Sequence, residues 1–445
     1  MNCLNQSVYS KPVSFKNIMK FSFPTIVMTV FMSFYTMADG LFVSNFIGTN
    51  ALSAINLTTP VITFVTAIST MLATGGSAVV MRKMGERKHS EAREDFTLLI
   101  LGNVAIGLVM TVLGFLLMDI IYGKMGLSAE VLGYCKDYLS YYLIFTIPIL
   151  LMNNFILYMI AAGKSGLSLV CSAAGGVLNI ALDYVFIVHF HMGIQGAAIA
   201  TGLGYSVTAV VGLFTFADRN SLIHFKKPVW RAKVLFKAAS NGASEMATSL
   251  VTGITTMLFN WKILQHAGED GVAAITIIMY VLMFTTSLYT GYTYGVAPMI
   301  SYYHGEKNEF KLKKLINRSL KIISAISFFT VFISFFITEP LVSVFTKPDN
   351  PVYGLAVTGN KICTFALLFI GFNVFASGMF TALSNGLISA LLAFSRSFLC
   401  MAIAIMALPA LFGITGIWLA TPAAEAMAIC MSMVMFVKYK KRYRY

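Results

Sequence analysis

Charge is scarce in this chain. Only 11% of its 445 residues are Asp, Glu, Lys or Arg, about half the share of an ordinary water-facing domain, which excludes a soluble protein built on one large core. The 6 cysteines, Cys3, Cys135, Cys171, Cys363, Cys400 and Cys430, are scattered, with no CxxC and no histidine at metal-ligand spacing. That excludes a disulfide framework or a zinc site and leaves them as apolar fillers. There is no HExxH and no paired nucleophile and base, so an enzyme is not expected. No stretch looks like a selectivity filter, which disfavours a channel. The first sixteen residues, MNCLNQSVYSKPVSFK, hold no apolar run and no small-residue cleavage site, so no removed leader is expected.

What is abundant is apolar residue. At 58% hydrophobic and a mean hydropathy of +0.78, the chain reads as an all-α polytopic membrane protein. A hydrocarbon layer about 30 Å thick needs roughly 20 apolar residues per crossing. Such spans fall at 17–45, 51–82, 96–123, 130–160, 166–190 and 194–217, and again at 232–262, 271–303, 315–345, 352–383, 388–411 and 414–437.

The two sets repeat at a constant offset of 220 residues. Gly75, Gly85 and Glu86 recur as Gly295, Gly305 and Glu306, and GIQGAAIAT (193–201) recurs as GITGIWLAT (413–421) with five of nine positions identical. Many windows sharing one offset mark a duplicated unit. Six spans return the chain to its starting side, so the halves share one orientation: twelve transmembrane helices as two six-helix bundles related by a pseudo-twofold axis along the membrane normal. The expected divisions are 1–217 for the first bundle, 218–231 for a linker and 232–445 for the second.

Lys and Arg set the orientation. Placing both termini and the even-numbered connections on one side gathers 27 of the 32 basic residues there, so both termini are expected in the cytoplasm of a cell whose plasma membrane the chain crosses many times. The net charge of +14 then reflects a basic face beside anionic lipid, and no nucleic-acid partner is expected.

Ionisable residues inside the spans are costly and point to function. They are Asp39, Asp119, Asp183, Glu245, Arg396 and Glu425. Asp119 is near enough to a helix end to be interfacial. Asp39 lies nine residues before Gly48 and Asp183 eight before His191, about 13 and 12 Å deep at 1.5 Å per residue. Thr201, eight residues after Gly193, shares that level. Asn179 is at i−4 to Asp183 and Tyr35 at i−4 to Asp39, so each pair lies on one helix face. Oxygens of this kind hold either a hard monovalent cation or a proton shared between carboxylates; the plain alternative is a hydrogen-bonded packing cluster. At +220 the mates of Asp39, Asn179 and Asp183 are Phe259, Leu399 and Ile403. This cluster belongs to one half only, as expected of a dedicated coupling-ion lobe.

The run ADGLFVSNFIGTNALSAINLTTPV (38–61), the segment GIQGAAIATGLGYSV (193–207) and the duplicated plan resemble the MATE family of multidrug and toxic compound extrusion transporters, in particular the branch with bacterial DNA-damage-inducible and archaeal members. The resemblance implies antiport of amphipathic, cationic small molecules against protons or sodium ions, with no cofactor and a monomeric transporter. It implies a proton or sodium site at Asp39, Asn179, Asp183 and Thr201 with Tyr35 alongside, and a helix-bending proline at Pro24. The sodium-coupled branch with its ion in the C-terminal lobe would call for acids in 271–303 and 352–383, and there are none.

For the substrate path the candidates are Glu245, Asn153, Asn154, Arg396 and Glu425. Glu245 either meets a cationic substrate or packs against Asn241 or Thr248. Arg396 and Glu425 lie at compatible depths for an ion pair. The 26 Met and 36 Phe suit adaptable apolar pockets, although most such residues face lipid or other helices. The nearest rival function is a flippase for lipid-linked saccharides, whose anionic substrates favour several deep basic residues; Arg396 alone fits that description.

Overall fold

The computed structural model describes the chain from residue 8 onward except residues 48 and 124–126, and of residues 8, 37–45, 49, 50 and 52 only the backbone. Ten of its helices are long and apolar enough to cross a membrane. One of them, Ala232–Gly305, runs 74 residues and breaks at Gly268 (φ 60, ψ −152), a conformation only glycine adopts freely, so it is two crossings. The pair Ala129–Ile144 and Thr146–Ala161, bent by 54° at Phe145, forms one broken crossing.

In chain order the resulting twelve are α1 (Phe15–Phe46), α2 (Thr49–Gly85), α3 (His89–Gly123), α4 (129–161), α5 (Ser165–His189) and α6 (Gly193–Ala217), then α7 (232–267), α8 (269–305), α9 (Glu309–Ser343), α10 (Pro351–Ala382), α11 (Gly386–Phe412) and α12 (Ile414–Tyr443). No strand occurs among the described residues. Each expected span falls on one of these helices. The largest shift is at the start of α3, expected at 96 and found at His89, because polar residues carry the helix beyond the apolar stretch. The duplication is visible in the backbone: Arg87 and Lys307 (φ 61 and 58), and Gly193 and Gly413 (φ 58 and 56), take left-handed conformations 220 residues apart.

The halves meet at the end that carries most of the basic residues. A Cβ added to Gly85 would stand 2.0 Å from the Tyr302 carbonyl oxygen, and one on Gly305 2.0 Å from that of Arg82. Since 85 and 305 are repeat mates, α2 and α8 cross on the pseudo-twofold axis. Flanking this crossing, Gly75 and Gly242 allow α2 and α7 into backbone contact, while their mates Gly295 and Ser22 join α8 to α1. Small residues permit such approaches where apolar lipid supplies no hydrophobic drive. Thr25 adds a polar stitch, its hydroxyl donating to the Gly291 carbonyl at 2.7 Å. Residues 72–81 of α2 and 289–303 of α8 are mostly buried, whereas their other halves are partly exposed. The closest backbone contacts between the bundles are therefore concentrated toward the basic end.

This crossing yields a prediction. Gly242→Leu places a side chain where a Cβ alone would lie 1.9 Å from the Met71 carbonyl oxygen, and overpacking of this kind costs about 1–3 kcal/mol. With Cys3 and Cys430 replaced by serine, a cysteine at Ser77, buried in this seam, should react with a water-soluble maleimide roughly tenfold or more faster in the Gly242→Leu background, since 1.4 kcal/mol is a factor of ten in a closed-to-open ratio. Unchanged labelling would show that the seam does not govern closure.

Candidate functional site

In the first half, small residues bring α5 and α6 together. A Cβ on Gly175 would lie 2.5 Å from the Gly204 carbonyl oxygen, and this contact sets Asn179 against Thr201. The Asn179 amide donates to the Thr201 hydroxyl at 3.3 Å, and Thr201 donates to the Ala197 carbonyl at 3.0 Å. Asp183, one turn on, is 1% exposed. It closes the regular part of α5, and a π-helical turn, Tyr184–His189, follows at once. Such turns widen the helix and often occur at functional positions. The Asn179 amide oxygen is buried with no hydrogen-bond partner among the described residues, an acceptor that a cation or a protonated acid would satisfy. Tyr35 is buried and packs on Gly176 together with Phe31.

Asn179, Asp183, Thr201 and Tyr35 thus lie in one tightly packed region, with a void of only about 20 Å³ beside Tyr35. The Asp39 side chain lies outside the described residues. Pro24 is within α1, one residue from the Thr25 stitch to α8. It cannot donate a helix hydrogen bond, which leaves α1 easier to bend at the point where it touches the other half.

The second half holds a cavity of about 290 Å³ lined by Glu245, Arg396, Glu425, Tyr294 and threonines of α7 and α8. Glu425 accepts from Arg396 Nε at 2.8 Å and from Asn373 Nδ2 at 2.8 Å, and Ser432 donates to the Asn373 amide oxygen at 2.9 Å. The expected Arg396–Glu425 ion pair is present, inside a larger network. Glu245 makes no side-chain hydrogen bond to either neighbour considered for it among the described residues, since Asn241 donates to the Thr381 carbonyl at 2.8 Å and Thr248 to the Ser244 carbonyl at 3.0 Å; its carboxyl is hydrogen-bonded by Tyr294 instead. It faces the cavity and also lines the seam against Thr74, Ser77 and Leu157 of the first half.

Asn154 is not among the residues lining this cavity. It and Asn103 exchange amide hydrogen bonds at 2.9 and 3.2 Å, a closed pair joining α4 to α3. Asn153 is partly buried and is not among the residues lining the cavity. Asp119 is 80% exposed and pairs with Lys136 at 2.5 Å, as its interfacial position suggested.

Several contributors escaped the sequence reading. Thr248, Thr252 and Thr255 on α7, and Thr286, Thr290 and Thr293 on α8, recur at i, i+4 and i+7 and so form a hydroxyl stripe on each helix. That spacing was the available signal. Asp95, wholly buried, binds Lys83 at 2.5 Å and Arg231 at 2.9 Å, fastening the segment between α6 and α7 onto the first half. It lies one residue before the apolar stretch expected at 96–123, so span arithmetic does not mark it as a deep acid.

A family model described as MatE matches the chain twice, over residues 24–185 and 245–406. Multidrug export protein MepA of Staphylococcus aureus (strain bovine RF122 / ET3-1) is 24% identical over 438 residues, covering 98% of this chain and 96% of that protein. MepA of Staphylococcus haemolyticus (strain JCSC1435) is also 24% identical over 438 residues, covering 97% and 94%. Among solved structures, a MATE in the straight conformation gives a TM-score of 0.91 at 22% identity over 100% of this chain and 98% of that one. An outward-facing multidrug resistance MATE family transporter of the MOP superfamily gives 0.88 at 22% identity, covering 96% and 95%. At such identities the structural likeness speaks for the fold.

Proposed function

Because the chain belongs to the MatE family, whose model fits each of its halves, we propose that it is a secondary antiporter that exports amphipathic, cationic drugs or toxic organic compounds in exchange for protons or sodium ions. The observation that carries this reading is the division of labour between the halves. One holds a buried carboxylate with an amide and a hydroxyl in a packed region suited to a small ion; the other holds an acid-bearing cavity large enough for an organic molecule. The export named for the Staphylococcus relatives supports the same direction of transport.

In this reading the basic face is cytoplasmic in a bacterial plasma membrane, with both termini on that side, and residues 1–217 and 232–445 are lobes joined by a linker at 218–231. One monomer suffices. A substrate taken up when the lobes part on the cytoplasmic side moves outward as they close there through the glycine crossings of α2 and α8. A proton or sodium ion then reaches Asp39, Asn179, Asp183 and Thr201 from outside. It neutralises buried negative charge, and the resulting repacking of α5 and α6 against Tyr35 bends α1 near Pro24. Drug and ion favour different states and so expel one another.

The test is efflux of a fluorescent organic cation from proteoliposomes under a proton gradient and, separately, a sodium gradient. Transport under one of them names the ion. Movement of a lipid-linked saccharide with no cation movement under either gradient would overturn the proposal in favour of a flippase.

A further inference from the structure

Arg396 enters the second-half cavity with most of its hydrogen-bonding capacity unspent. Its Nε donates to Glu425, whose other oxygen is taken by Asn373. Neither Nη of Arg396 donates a hydrogen bond among the described residues. The outer edge of the guanidinium is thus a flat fork of donors, the shape that receives a carboxylate in two parallel bonds.

Glu245 lines the same cavity, and no ion pair within 4.0 Å joins it to Arg396 or to any other basic group among the described residues. Opposite charges sharing a cavity of low dielectric attract strongly. The two stand on α7 and α11 without closing an ion pair within 4.0 Å, and the Glu245 carboxyl is held by Tyr294, so the arrangement favours a molecule that spans them. The threonine stripes reinforce one end of it. Thr248, Thr252, Thr290 and Thr293 each donate to the carbonyl of the residue four before, at 2.8 to 3.2 Å. With their protons spent inside the helices, these hydroxyls offer the cavity lone pairs, which suit an N–H donor and not an anion.

We infer that this cavity selects zwitterions: an ammonium group held by Glu245 and the threonine oxygens, and a carboxylate held by the free edge of Arg396. The inference rests on the export reading only for the fate of the bound molecule. It narrows that reading, because a purely cationic ligand leaves the Arg396 fork unmatched and adds a like charge beside it.

The test uses purified full-length protein in lipid nanodiscs and three fluorescent probes of nearly equal size: Nε-dansyl-lysine, a zwitterion; its methyl ester, a cation; and its Nα-acetyl derivative, an anion. The zwitterion should bind roughly tenfold or more tighter than either singly charged form, the usual discrimination of a bidentate charged contact. Arg396→Lys, which keeps a cation beside Glu425 but loses the fork, should weaken the zwitterion roughly tenfold and leave the ester within about twofold. Glu245→Gln should weaken zwitterion and ester alike and spare the acetyl form. Equal binding of all three probes, or an equal loss of all three in Arg396→Lys, overturns the inference. So does absence of binding by any of them; cation efflux under an imposed gradient would still stand on its own, which separates failure of zwitterion selection from failure of the export reading.

Discussion

Asp183→Asn is expected to reduce gradient-driven cation efflux to the level of protein-free liposomes, while binding of the same cation to the second-half cavity stays within about twofold. Asp183 is 1% exposed, and its neighbours Asn179 and Thr201 are neutral. An amide is nearly the same size, so packing survives. What disappears is one of the two carboxylates proposed to take up and release a proton, or to balance a sodium ion, and an ion in a buried site with less countercharge keeps more of a desolvation cost of several kcal/mol. A factor of ten in rate corresponds to about 1.4 kcal/mol, so a loss of two to three orders of magnitude is the natural scale. The Asp39→Ala with Asp183→Ala double variant should do no worse than this background. Thr201→Ala, which removes a neutral partner and leaves the Asn179 amide unpaired, should cost only about tenfold, near the 1–3 kcal/mol of an unsatisfied buried donor. Retention of full gradient-driven efflux in the double variant would remove the ion site from the first half.

The sequence made the span count readable because every crossing must satisfy the same arithmetic of apolar length, and the offset of 220 made the symmetry readable because duplicated helices kept their glycine contacts. Gly85 and Gly305 are mates in the sequence and face each other's partner helix in the structure. Asn179, Asp183 and Thr201 were legible for a related reason: depth follows from residue counting, and Asn179 and Asp183 are one helical turn apart. Helix rotation beyond a π turn is not legible in that way. In α5 the π turn follows Asp183, whereas in α11 it spans Ser395–Cys400 and includes Arg396. One extra residue in the turn rotates everything after it by about 100°. The mates of Asn179 and Asp183, Leu399 and Ile403, are accordingly 47% and 51% exposed, and the charged groups of the second half sit at other positions. Alignment at a fixed offset shows that the first-half carboxylates have no mates; it does not show where the second half places its own acids. Asn154 shows what residue counting leaves out: a polar residue deep in a span suggests a substrate path, and only the structure shows its amide bonded to Asn103 and the Leu150 carbonyl.

Glu425→Leu is the change expected to cost the most stability. The carboxylate is 4% exposed, with one oxygen bonded to Arg396 and the other to Asn373. Its removal leaves a guanidinium and an amide without their acceptor, and breaking a buried pair from one side costs about 3–5 kcal/mol. Arg396→Met should cost a similar amount by stranding the acid. Removing both charges together should recover most of the loss, because two apolar side chains of similar volume carry no desolvation penalty. Thermal or denaturant unfolding in detergent measures all four corners of this cycle. Transport separates the two roles the pair combines. If Arg396 and Glu425 only pin α11 to α12, the stable double variant should export as the parent does. If Arg396 also receives the ligand, that variant should unfold like the parent and yet bind zwitterions roughly tenfold less tightly, since the fork is gone even though the scaffold is restored. A double variant as unstable as either single one would mean that the pair is held by the Asn373 and Ser432 network and is not an independent two-body contact.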